Sequence, residues 1–202
     1  MNRSPAHTGR ADTGIAPGQR LGSVIGAIFG LVYVEVNARL LPGPYGAVLQ
    51  IAAGVAFAGL AALLVRDRGL RPAAGQAAFG SFGSAYWLVV AGEAIAILAG
   101  AAVLNGPAAL PRAVVAWVSV VVGVHFLVLA AIWRLKLFRL LGAGIALCGV
   151  AGLTAATTGA TTAVIAAVGG VLPGFLLLAA SYWGASAPRR SVAPTAGGMR
   201  PE

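Results

Sequence analysis

Two ionisable side chains stand inside apolar stretches of this sequence, where charge is uncommon. Glu93 lies near the middle of residues 84–104, and His125 lies well inside residues 112–133. An ionised residue at the centre of a membrane-length helix costs roughly 2.5–3.5 kcal/mol, so such residues usually face the interior of a helix bundle and have a partner. We therefore expect Glu93 to face inward and to be either protonated or paired.

His125 is the expected partner of Glu93. The short connection Asn105–Pro111 joins the two stretches and makes them antiparallel neighbours, and each residue lies about nine or ten positions from the same end of the pair. A carboxyl group and an imidazole in contact could bind a proton or a cation and release it. The alternative is a structural hydrogen bond between helices that only fixes their packing.

The last apolar stretch contains a second candidate site, formed by Gly169, Gly170 and Pro173. Proline has no N–H to donate to the carbonyl four residues earlier, so the helix should kink or break near Pro173. Broken helices in membranes often frame ion or substrate sites, because freed carbonyls can act as ligands. The alternative is that these residues have no binding role, since glycine and proline are tolerated in membrane helices.

Small residues recur at helical spacing on two of the stretches. Such strips let neighbouring helices approach closely. We expect a helix-packing role for both strips, with a second copy of the chain or another membrane protein as a candidate partner. The strips are Gly22, Gly26 and Gly30 on the first stretch, and Gly92, Ala96 and Gly100 on the third.

Composition indicates the elements that position these residues. Hydrophobic residues make up 59% of the 202 residues and charged residues 9%, whereas a soluble domain has about 25% charged residues. The apolar residues gather into six stretches of membrane-spanning length. The sequence therefore predicts an all-α, polytopic membrane helix bundle at 21–184, between disordered tails at 1–20 and 185–202. The predicted spans are 21–40, 46–65, 84–104, 112–133, 137–156 and 160–183.

The basic residues predict the orientation. Twelve of the fourteen lie in four clusters, and six spans place these clusters on the same side as both termini. Because loops rich in lysine and arginine stay in the cytoplasm, both termini should be cytoplasmic. A cleaved signal peptide is the competing interpretation of the first span, since Val36-Asn37-Ala38 loosely fits a cleavage site. The clusters are Arg3, Arg10 and Arg20; Arg66, Arg68 and Arg71; Arg134, Lys136 and Arg139; and Arg189, Arg190 and Arg200.

Several classes of function are not expected. The basic residues form no stripe with interleaved aromatic residues, so the formal net charge of +9 does not indicate nucleic-acid binding. A single cysteine, Cys148, allows neither an intrachain disulfide nor a cysteine metal site. The sequence has no HExxH, GxSxG or P-loop motif. We expect no enzymatic activity, no metal and no cofactor, and the lipid bilayer as the main partner.

Segments of spans three and four resemble a known group of proteins. Gly92-Glu93 and the segment VVGVHFLVLA at 121–130 resemble multi-pass membrane proteins of high-GC bacteria that have no assigned activity. The resemblance implies six spans in a bacterial inner membrane. From Glu93 and His125 themselves, we expect a transporter- or channel-like protein for a small solute or ion. The alternative is a non-catalytic scaffold or accessory subunit that packs through its small-residue faces.

Overall fold

A computed structural model describes residues 17–68 and 84–186. Every regular element in these ranges is helical, which confirms the all-α prediction. The first helix begins at Pro17, inside the segment predicted to be disordered, because proline is well suited to the first turn of a helix. The rest of both predicted tails and the basic connection at 69–83 lie outside the described residues.

The described chain contains six long helices, one for each apolar stretch. The sixth is α-helical at Thr162–Ala166, π-helical at Ala167–Val171 and α-helical again at Leu172–Ser186. A single 3₁₀ turn at Pro111–Ala113 leads into the fourth. The helices are α1 (Pro17–Ala38), α2 (Tyr45–Arg68), α3 (Ser84–Asn105), α4 (Val114–Trp133), α5 (Lys136–Thr157) and α6 (Thr162–Ser186).

Three tight turns reverse the chain between neighbouring helices. Gly43 and Gly159 have φ angles of 60° and 81°, in the left-handed region that glycine enters without a steric penalty. Arg134 also has a positive φ, 54°, where α4 ends and α5 follows almost at once. At the start of α6 the Thr161 hydroxyl accepts a hydrogen bond from the N–H of Val164, which caps the helix.

Five of the helices are long and apolar enough to cross a membrane. The apolar part of α1, Gly22–Ala38, is shorter. Large apolar side chains cover the outside of the bundle, and Leu88, Leu98 and Leu140 are each 70–76% exposed. So much exposed apolar surface is incompatible with water and fits contact with lipid chains. The described chain therefore has the architecture of a helical membrane protein.

Helix α6 is central. One apolar cluster, with Val34 and Leu60 at its centre, joins it to α1 and α2. A second cluster around Ile145 and Leu177 joins it to α5, with α4 packed alongside. Helix α3 is peripheral, because it packs mainly on α4, and no residue of its most apolar stretch is buried.

The most extensive contact is between α4 and α5. A Cβ atom on Gly123 of α4 would lie only 2.7 Å from the Cα atom of Ala146 on α5. A Cβ atom on Gly142 of α5 would lie 2.7 Å from the carbonyl oxygen of Gly123. The two backbones therefore approach each other directly, as small residues permit between membrane helices.

The small-residue strip of α1 packs on α6 of the same chain. A Cβ atom on Gly30 would lie 2.7 Å from the carbonyl oxygen of Gly174, and one on Gly26 would lie 2.7 Å from Oγ of Ser181. These two glycines are thus covered within the chain and are not free for a partner.

Two members of the predicted strips do not pack. A Cβ atom at Gly22 or Gly92 would meet no atom of the described residues within 4 Å. Near Gly22, the next contact of α1 with α6 is made instead by Ser23, whose hydroxyl lies against Gly184. Gly92 lies on the exposed surface of α3, because that helix meets α4 through Gly100. Neither glycine therefore packs on another helix within the described residues, and a role for Gly22 and Gly92 in packing on a partner stays a prediction.

Candidate functional site

The structure brings Glu93 of α3 and His125 of α4 together. Nδ1 of His125 lies 3.0 Å from Oε2 of Glu93, and the two side chains are only 12% and 20% exposed. The distance is that of an ion pair, but the ring N–H does not point at the carboxylate, so the contact is not an aligned hydrogen bond. A half-buried carboxyl and imidazole in contact form a pair that can share or exchange a proton.

The register between α3 and α4 is fixed close to this pair. The indole Nε1 of Trp117 donates a hydrogen bond of 3.0 Å to the carbonyl oxygen of Ala96. The same indole lies against Gly100, where a side chain would collide with it. Ala96 is one turn of α3 from Glu93, and Trp117 is about two turns of α4 from His125, so this contact restricts sliding of the two helices near the pair.

Two hydroxyl groups extend the site toward the centre of the bundle. The Tyr33 hydroxyl of α1 is buried and lies near the Ser119 hydroxyl of α4. Ser119 is itself completely buried and donates a hydrogen bond of 2.6 Å to the carbonyl oxygen of Gly169. The site therefore contains side chains from α1, α3 and α4 and one carbonyl from α6.

Two polar atoms of the site have no aligned partner among the described residues. They are the Tyr33 hydroxyl and Nδ1 of His125, and both atoms are buried. A buried polar group without a hydrogen bond costs about 1–3 kcal/mol, so natural structures seldom contain one without a structural or functional reason. The interfaces of α4 with α1 and α3 therefore contain the polar atoms of the described bundle that are least well satisfied.

Helix α6 does not break at Pro173, contrary to one of the two outcomes expected from the sequence. It continues as a helix that widens to a π turn at Ala167–Val171. Pro173 has no N–H for the carbonyl of Gly169, and that carbonyl instead accepts from Ser119. The π turn thus places a backbone acceptor next to the polar site, and π turns are frequent at functional sites.

Gly169 and Gly170 permit close approach of two other helices. A Cβ atom on Gly169 would lie 3.0 Å from Cβ of Ala116 on α4, and Gly170 lies directly against the side chain of Asn37 on α1. Asn37 is held there by its hydrogen bond of 2.8 Å to the carbonyl of Tyr33. Both glycines have a packing role, and a binding role for Gly169, Gly170 and Pro173 stays a prediction.

Sequence reasoning missed Tyr33, Asn37 and Ser119 as members of the site. Tyr33 and Asn37 follow Gly26 and Gly30 at spacings of three and four, so they continue the same face of α1 toward α6. The sequence therefore contained a signal for Tyr33 and Asn37, because two polar residues continue the helix face of a glycine strip. Ser119 had no such signal, because its partner carbonyl becomes free only through Pro173, fifty-four residues later.

The site offers one carboxylate, one imidazole and several neutral oxygens. Within residues 17–68 and 84–186, no three histidine, cysteine, aspartate or glutamate side chains are grouped to hold a metal ion. The fold and the site together define a helical membrane protein with a buried polar cluster between α1, α3, α4 and α6. No protein family model, curated protein or solved structure matches the chain.

Proposed function

We propose that the protein transports a small solute or ion and that the Glu93–His125 pair binds and releases a proton during transport. The observation that carries the proposal is the 3.0 Å contact between the carboxylate and the imidazole at the interface of two helices in a membrane-type bundle. Ionisable residues at this depth are costly and usually mark ion or proton pathways. Helix α4, which carries His125, also contacts the π turn of α6 through Ser119, and a π turn is an irregular element frequent at functional sites.

The proposed setting is a bacterial inner membrane. We propose that α1 serves as a sixth span despite its shorter apolar part, because its strip of glycines packs it against the central helix. Both termini would then lie in the cytoplasm with the basic clusters, as the distribution of lysine and arginine favours. The resemblance of spans three and four to inner-membrane proteins of high-GC bacteria supports the same location.

The proposal is tested by flux through purified protein in lipid vesicles. We expect wild-type vesicles to move protons, Na⁺, K⁺, methylammonium or acetate at a rate that depends on pH. The Glu93→Gln variant should fall to the rate of protein-free vesicles, because an amide cannot exchange the proton. The matched control is Glu35→Gln, the same substitution on α1 at a residue outside the polar site.

Two results would contradict the proposal. One is a wild-type protein whose vesicles are as tight as protein-free vesicles to every one of these probes. The other is a Glu93→Gln variant that retains wild-type flux. Either result would favour the alternative role, a scaffold or accessory subunit. The observation that supports this alternative is the peripheral, exposed position of α3.

A further inference from the structure

The turn between α4 and α5 carries three cationic side chains at one end of the bundle. Helix α4 ends at Trp133 and α5 begins at Lys136, so Arg134 and Leu135 form the whole connection. Three exposed residues, Arg134, Lys136 and Arg139, make up what we call the basic turn. Because so short a connection leaves the backbone little freedom, the three charges stay close together.

The charges of the basic turn are not balanced within the described residues. The one ion pair among those residues is Glu93–His125, and the first turn of α5 contains no acidic residue. Lys136 and Arg139 are three positions apart on one helix face, where like charges repel each other. They also lie at the start of α5, where the helix dipole disfavours positive charge. The basic turn therefore lowers the stability of the fold unless an anion from elsewhere offsets it.

Apolar side chains flank the basic turn directly. Leu135 and Leu140 are 45% and 74% exposed. The indole of Trp133 is also partly exposed, and its ring centroid lies 5.8 Å from that of Phe138. Tryptophan prefers the headgroup level of a bilayer and leucine the acyl chains, while lysine and arginine extend their charged ends toward the phosphates. A partner for this surface therefore needs an anionic group and apolar chains side by side.

We propose that the basic turn binds the headgroup of an anionic phospholipid, with Trp133 and Leu140 against its upper acyl chains. A nucleic acid or an acidic protein would match the charges but would leave the exposed leucines without an apolar partner. Other parts of this chain are unsuitable, because the segments 1–16, 69–83 and 187–202 each contain more basic than acidic residues. Lipid binding at this turn does not require transport, so either property can be absent without the other.

The test is quenching of tryptophan fluorescence by phospholipids brominated on the upper acyl chain. The purified protein is reconstituted into phosphatidylcholine vesicles in which a minor fraction is brominated phosphatidylglycerol or, in parallel, brominated phosphatidylcholine. We expect phosphatidylglycerol to bind at least about fivefold more tightly, the effect of one basic side chain near a charged surface. Trp133→Phe should remove the excess quenching. High salt should reduce the preference, because it screens exposed charges.

The variant Arg134→Gln/Lys136→Gln/Arg139→Gln should be quenched equally by both lipids, and Arg139→Gln alone should lose part of the preference. The matched control for the single variant is Arg39→Gln, which removes an exposed arginine just beyond the end of α1 and should keep the wild-type preference. Because both leaflets contain the brominated lipid, the result does not depend on orientation. Equal quenching of the wild type by both lipids would overturn the proposal and favour an acidic protein as the partner. A preference that survives in the triple variant, or that Arg39→Gln lowers as much as Arg139→Gln does, would overturn it too.

Discussion

Replacing His125 by leucine is expected to lower the free energy of unfolding by about 3 kcal/mol, because it leaves the carboxylate of Glu93 without its partner. Leucine fills a similar volume, so the loss comes from electrostatics rather than from a cavity. Glu93 is only 20% exposed and cannot recover full hydration in place. Unfolding in mixed micelles with increasing SDS, followed by tryptophan fluorescence, measures the change.

The double variant Glu93→Leu/His125→Leu is the decisive comparison for this pair. Replacing both partners of a buried ion pair by apolar residues is often neutral, whereas removing one is costly. We therefore expect the double variant to recover most of the stability that His125→Leu loses. Equal stability of the single and double variants would show that the 3.0 Å contact contributes no coupling energy.

Replacing Gly123 by leucine is expected to destabilise the fold by more than about 3 kcal/mol, since its position has no space for a side chain. The Cα and Cβ atoms of Ala146 would both lie 2.7 Å from the new Cβ atom, so the backbones of α4 and α5 would have to separate. The displacement would also move His125, two residues further along α4. The same SDS unfolding measurement applies.

Gly92→Leu is the matched control for this substitution. Gly92 lies on the exposed surface of α3, and no described atom lies within 4 Å of its Cβ position. We expect this variant to be as stable as wild type, because leucine is a good helix former and is favourable in lipid. If Gly123→Leu proved as stable as Gly92→Leu, the close packing of α4 on α5 would be contradicted.

The pairing of Glu93 with His125 was predictable from the sequence for a simple geometric reason. A short connection makes α3 and α4 antiparallel neighbours, and a constant rise per residue converts position into depth. The same regularity predicted six helices close to their observed bounds. It did not predict that α1 begins at Pro17, because disorder was inferred from composition while helix propensity at the first turn favours proline.

The wider site depends on contacts that sequence position does not reveal. Tyr33 and Ser119 meet although they are eighty-six residues apart, because both α1 and α4 pack on the π turn of α6. The sequence predicted an irregular helix near Pro173, because proline leaves one backbone carbonyl without its usual N–H donor. That carbonyl can find a substitute donor in several ways. Which one occurs depends on a neighbouring donor, here the hydroxyl of Ser119.

The sequence likewise did not determine which helix the glycine strip of α1 packs against. Gly26 and Gly30 could face another helix of the chain or a partner, since the requirement for close approach is the same. Packing on Gly174 and Ser181 shows that the partner is α6. The choice follows from which helices compete for the centre of the bundle, a property of the whole chain rather than of the strip.

The central claim, that the Glu93–His125 pair exchanges a proton with water, is tested most directly by the protonation state of His125. Solid-state ¹⁵N NMR in lipid bilayers distinguishes neutral from protonated imidazole, and a His7→Gln background leaves His125 as the single histidine. We predict that its signal converts between the two states as the buffer is changed from acidic to alkaline, and that Glu93→Gln alters this conversion. A His125 signal that stays in one state throughout, or a conversion unaffected by Glu93→Gln, would contradict the account.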